Sequence, residues 1–98
     1  YNVYPKEVET VLDSLPGVLE SAVVGAPHAD LGESVVAVLV PEPGAGIDLA
    51  AVEAAVSDRL ARFKQPRHYA LADALPRNTM GKVQKAELRA RLKDVFAR

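Results

Sequence analysis

Six consecutive apolar residues, Val35-Val36-Ala37-Val38-Leu39-Val40, constrain this chain more than any other stretch. Four of the six are valines, whose branched Cβ favours extended backbone. The run has no polar position at alternate residues, so both of its faces must be buried. A strand of that kind needs other strands beside it and helices above and below. The chain has 98 residues, enough for one small domain spanning 1–98, and 49% of them are hydrophobic, enough for a packed core.

The flanking sequence supplies those layers. Tyr1 to Tyr4 reads as an extended lead-in, and Pro5 suits the first turn of a helix. Val8, Val11, Leu12 and Leu15 then recur at helical spacing until Pro16-Gly17. Leu19 to Gly25 predicts a strand, with a loop over residues 26–33 before the central run. Asp48 is placed to cap a second helix whose apolar stripe is Leu49, Val52, Val56, Leu60 and Phe63. Pro66 stops it, and Tyr69 to Leu71 predicts a third strand. Leu88, Leu92, Val95 and Phe96 mark a last amphipathic helix. The expected fold is α+β, a small three-stranded sheet with helices packed on it.

Several function classes drop out. Net charge is -1, which argues against a dedicated nucleic-acid binder. There is no cysteine, which excludes disulfides, thiolate catalysis and Cys-type zinc sites and agrees with a reducing cytoplasm. No apolar run is long enough to span a bilayer, and no signal peptide is recognisable. His28 and His68 stand apart and lack metal-ligand spacing, so no metal site is expected. Glu7, Glu9, Glu53 and Asp58 read as solvated helix residues, and the basic last helix as a solvated face. The chain begins at Tyr1 in strand-like sequence, which suggests a piece of a longer protein.

Two stretches carry candidate chemistry. Pro76-Arg77-Asn78-Thr79-Met80-Gly81-Lys82 follows an apolar stretch and precedes a helical pattern, so Lys82 sits on a loop constrained by Pro76 and Gly81. A phosphate-binding loop is excluded, because that motif needs Gly at 76 and Ser or Thr at 83 where this chain has Pro76 and Val83. Gly44-Ala45-Gly46 is no dinucleotide fingerprint, because Leu49 stands in place of the third glycine. Taken alone, the residues favour an ordinary exposed lysine at 82 over a catalytic one. In Phe63-Lys64-Gln65-Pro66-Arg67 an aromatic ring beside two cations can stack on a base and pair with phosphate. Equally, Phe63 can simply end the apolar stripe of the second helix.

In combination these residues resemble the C-terminal domain of the adenylate-forming acyl-CoA synthetases, the ANL superfamily. That family closes on proline, a basic residue, Asn or Thr, two variable positions, Gly-Lys, Val or Ile, a variable position and a basic residue. Pro76 to Lys85 matches throughout. Tyr1 to Glu9 resembles the stretch after the family's domain hinge, Val23 to Glu33 its next strand and loop, and Leu60 to Pro66 the segment before the third strand. Within the family the chain is most like bacterial malonyl-CoA synthetases, which share the Asn-Val-Tyr-Pro-Lys-Glu start and the Asn78 to Lys85 run.

The resemblance implies a mobile domain of a cytoplasmic ligase, a malonyl-CoA or methylmalonyl-CoA synthetase, that joins a carboxylic acid to CoA using Mg2+-ATP and releases AMP and pyrophosphate. It implies that Lys82 is the adenylation lysine, in a loop supported by Pro76 and Gly81. Phe63, Lys64 and Arg67 would contact CoA, and Tyr1 and Asn2 would line the pantetheine path. Some relatives carry a basic residue where this chain has Gln65. ATP, CoA and Mg2+ would be bound mainly by an N-terminal domain, the principal partner, without which this domain is expected to be inactive. A protein acetyltransferase and a deacetylase acting on Lys82 are further implied partners, and neither nucleic acid nor membrane is expected. The rival readings are another acyl-CoA synthetase or a peptide-synthetase adenylation domain and, from a different class, a free-standing interaction module or acetyltransferase substrate domain.

Overall fold

A computed structural model describes residues 3–97, so the expectations on Tyr1 and Asn2 lie outside the described residues. Pro5 opens helix α1 (Pro5–Asp13), where its missing N–H costs nothing and the Tyr4 carbonyl accepts the Glu7 N–H. Val8 and Leu12 are its buried side chains. The chain then forms β1 (Val18–His28) and β2 (Gly32–Pro41), an antiparallel pair. Helix α2 (Leu49–Arg59) starts on Asp48, whose carboxylate accepts the N–H groups of Ala50 and Ala51 at 3.0 and 3.3 Å. A 3-10 turn, Arg62–Lys64, leads into β3 (His68–Leu71), and α3 (Lys85–Arg91) closes the order.

The sheet runs β1-β2-β3, with β2 in the middle and β3 parallel to it. The continuous apolar run thus occupies the central strand. Ala37 and Leu39 face a core built with Val8, Leu12, Val52 and Val56 from α1 and α2. Val36, Val38 and Val40 face a second core closed by Leu75 and Leu88. Three layers result, as a strand buried on both faces demands.

Several boundaries differ from expectation, and among them β2 starts at Gly32 and α1 ends at Asp13. Strand β1 is longer, because pairing with β2 continues to His28 opposite Gly32. Residues 29–31 alone form the turn, held by the His28 imidazole Nδ1, which accepts the N–H groups of Asp30 and Leu31. Helix α2 ends at Arg59, so Leu60 still packs in the core but Phe63 leaves the stripe. Helix α3 is short, and Leu92, Val95 and Phe96 follow it in turns while packing against the second core.

Candidate functional site

Lys82 lies on a tight hairpin. Arg77 and Val83 face each other as an antiparallel bridge. The Asn78 N–H donates to the Lys82 carbonyl at 3.0 Å, and the Gln84 N–H to the Pro76 carbonyl at 2.8 Å. The turn closes through the Gly81 N–H on the Asn78 carbonyl, with Gly81 at φ 81, in the left-handed region where a side chain is disfavoured. The side-chain oxygen of Asn78 accepts two further donors, the N–H groups of Met80 and Lys82. Arg77 donates from one guanidinium nitrogen to the Gly81 carbonyl at 2.7 Å and pairs through the other with Glu20 on β1.

The loop is therefore ordered by its own polar groups, with Pro76 at its base and Gly81 at its bend. Lys82 is exposed, and among the described residues its ammonium has no hydrogen-bond or ion-pair partner. A cation on a rigid, protruding loop with nothing to neutralise it can serve as a point charge for an anion brought to it from outside. Met80 shares the tip and is 90% exposed.

Phe63 and Arg67 line a cleft of about 300 Å³ with Arg62, Gln65, Leu31 and Glu33. The Phe63 ring is 45% exposed and lies outside both apolar cores. Lys64 turns elsewhere, onto Glu7 at 2.8 Å, with its ammonium 5.6 Å from the Phe63 ring centre. The cleft displays two guanidinium groups and one aromatic face, which suits an aromatic, phosphate-bearing ligand.

The two regions lie toward opposite ends of the sheet. The Arg67 N–H donates to the Val35 carbonyl, whereas Arg77 is held at Glu20, which is in register with Val40. From Val35 to Val40 is roughly 16 Å of strand at the usual rise. Among the described residues the domain thus places a cation without an ion-pair partner toward one end and an aromatic-cationic cleft toward the other.

Some sequence readings change. Glu9 is not solvated: its carboxylate accepts the Val23 N–H at 2.8 Å and pairs with Lys85 at 2.7 Å. Glu7 is paired with Lys64 and Arg91 with Glu87, so part of the basic last helix is neutralised. His28 and His68 are not isolated, since both rings pack against Phe96. Sequence reasoning missed Asn78, Arg77 and Glu33. For Asn78 the signal was available, an Asn three residues before a Gly in a turn.

Among the described residues the Tyr69 phenol is pushed up to about 12, by burial first and by the negative charge of Glu53 second. Among the described residues no group of three or more His, Asp or Glu is placed to hold a metal ion. Nor is any helix among them long and apolar enough to cross a membrane.

The AMP-binding enzyme C-terminal domain family matches residues 7–82. The chain is 49% identical over 89 residues to an octahydroindenyl-propanoyl:CoA ligase of Mycobacterium tuberculosis, covering 91% of this chain and 18% of that protein. It is 44% identical over 90 residues to the fatty acid–acyl-carrier-protein ligase ScoC of Streptomyces coeruleorubidus, covering 92% and 17%. The structure of ATP-bound MatB from Rhodopseudomonas palustris superposes with a TM-score of 0.94 at 54% identity, over 98% of this chain and 19% of that one. The chain spans less than a fifth of the length of each of these proteins.

Proposed function

The chain belongs to the AMP-binding enzyme C-terminal domain family, and from that premise we propose that it is the mobile domain, 1–98, of an ATP-dependent acid–CoA ligase. Its principal partner is then an N-terminal domain that binds most of the ATP, the acid and the CoA. The observation that carries this reading is the Lys82 ammonium, without an ion-pair partner among the described residues, on a hairpin braced by its own side chains.

In the first step a carboxylate oxygen bonds to the α-phosphorus of ATP and the bond to pyrophosphate breaks. Two anions must approach each other. The fixed charge of Lys82 offsets their repulsion and stabilises charge building on the phosphoryl oxygens. It acts charged throughout, as a clamp rather than a base. In the second step the CoA sulfur bonds to the acyl carbon, AMP leaves, and the thiol proton passes to solvent. The Phe63–Arg67 cleft then faces the site, Phe63 against adenine and Arg67 against phosphate. The separation of the two regions along the sheet supports a rotation of the domain between steps. Lys64, engaged by Glu7, steadies the turn that carries Phe63.

Malonate is the proposed acid, supported by the Asn78 to Lys85 run and by the 54% identity to MatB. A second reading, a carrier-protein thiol in place of CoA, draws on the 44% identity to the carrier-protein ligase. Acetylation of Lys82 by a protein acetyltransferase would remove the charge the first step needs, and a deacetylase would restore it.

The test is Lys82→Ala in the full-length ligase, with the two half-reactions assayed apart. Malonyl-adenylate formation should fall by about a hundredfold or more. Thioester formation from pre-made malonyl-adenylate and CoA should persist. Equal loss of both steps would make Lys82 a uniform-binding or structural residue, and no loss in either would overturn the reading. A carrier-protein thiol used in preference to CoA would select the second reading.

A further inference from the structure

The hairpin bearing Lys82 is strapped to the edge of the sheet at two points. On its incoming limb Arg77 pairs with Glu20 of β1. Just beyond its outgoing limb Lys85 reaches Glu9 of α1, and the same carboxylate oxygen accepts the N–H of Val23, also on β1. Strand β1 is an edge strand, so the Val23 N–H would otherwise lack a partner, and Glu9 covers it. One carboxylate thus joins α1, the sheet edge and the start of α3.

Two details show that this pair is not an incidental surface contact. The Glu9 side chain is only 13% exposed, so its charge is poorly solvated and depends on its partners. Lys85 is the first residue of α3, where a positive charge opposes the helix dipole. Its place there does nothing for α3 and is explained by Glu9. Lys85 follows Lys82 by three residues, and Gln84 between them bonds both to the Pro76 carbonyl and to the Lys82 carbonyl. Movement at Lys85 is therefore passed to Lys82 through Gln84.

We infer that Glu9, acting through Lys85, is a positioning residue that sets where the Lys82 ammonium is presented. This rests on the reading of Lys82 given above. Glu9 touches no substrate. With the pair broken the hairpin keeps its ladder but pivots on Arg77, and Lys82 loses its fixed reach.

The experiment is a double-mutant cycle in the full-length ligase: Glu9→Gln, which still accepts from Val23, then Lys85→Met, then both. Each single variant should lower kcat of adenylation by roughly tenfold with KM for acid and ATP little changed, because misplacement penalises the transition state more than binding. Thioester formation from pre-made adenylate should hold, and hydrogen exchange at the Lys82 and Gly81 amides should quicken. The double variant should be no worse than the worse single one. Additive losses, equal loss of both half-reactions, or a lowered melting temperature with adenylation and hairpin exchange intact would each overturn the inference. Lys82→Ala is run alongside. If it abolishes adenylation while Glu9→Gln spares it, only the positioning role falls. If Lys82→Ala spares adenylation, the reading of Lys82 falls and the positioning role with it.

Discussion

The side-chain oxygen of Asn78 accepts the backbone N–H of Lys82 at 3.0 Å, and at 2.9 Å that of Met80. One amide side chain thus holds the backbone at the tip of the hairpin and at its lysine. An aspartate would keep both acceptor contacts, whereas alanine removes them and leaves the two donors to water.

Asn78→Ala should therefore cost little global stability, about 1 kcal/mol, since the loop is solvent-exposed. Its main effect should be on order. Hydrogen exchange at the Met80 and Lys82 amides should quicken, and adenylation should slow while the thioester step holds. Asn78→Asp should restore the exchange protection. If Asn78→Ala leaves both amides as protected as in the parent, the side chain does not organise the hairpin.

Gly25 matters for a different reason. A Cβ there would lie 2.5 Å from Oε1 and 2.8 Å from Cγ of Glu33, which crosses over it from β2. Gly25→Ala should displace the Glu33 side chain and disturb the groove of about 390 Å³ that both residues line. Glu33 is exposed and can swing aside, so a destabilisation of at most about 1 kcal/mol is expected in urea unfolding, and Gly25→Ala with Glu33→Ala should recover most of it. A double variant as unstable as Gly25→Ala alone would mean that the strand backbone, not Glu33, requires the glycine.

Tyr69 predicts an alkaline effect. Its phenol is neutral in the folded chain up to about 12, against an ordinary value of 10.0. The folded state therefore holds this proton more tightly than the unfolded state. Below pH 10 the two states are equally protonated and stability does not depend on this group. As pH rises from 10.0 toward about 12, the unfolded state ionises first and stability falls. A phenolate absorbance titration should show one late phase that Tyr69→Phe removes. Glu53→Gln should shift that phase downward by less than half of the elevation, because burial is the larger cause. A late phase that survives Tyr69→Phe would assign it to another tyrosine.

Much of this was legible along the chain. The apolar run at residues 35–40 demanded a central strand, and it is β2. Pro5 and Asp48 marked the starts of α1 and α2 through backbone rules that act within a few residues. The hairpin could be located because Pro76 and Gly81 each impose a local geometry, and the family likeness rested on that same stretch.

Long-range partnerships were not legible. That Phe63 leaves the helix stripe depends on α2 stopping at Arg59, ahead of the 3-10 turn that carries Phe63. That Glu9 is held by Val23 and Lys85, Arg77 by Glu20, and Lys64 by Glu7 depends on contacts between residues 14 to 76 positions apart, taken with the fold that joins them. A charged residue on a helix has the same local sequence signature whether it faces water or a partner. Periodicity and turn chemistry act over a few residues and so are written in the sequence itself. Charge pairing acts through space, and only the packing of α1 and α3 around the edge of β1 decided which carboxylates and cations would meet.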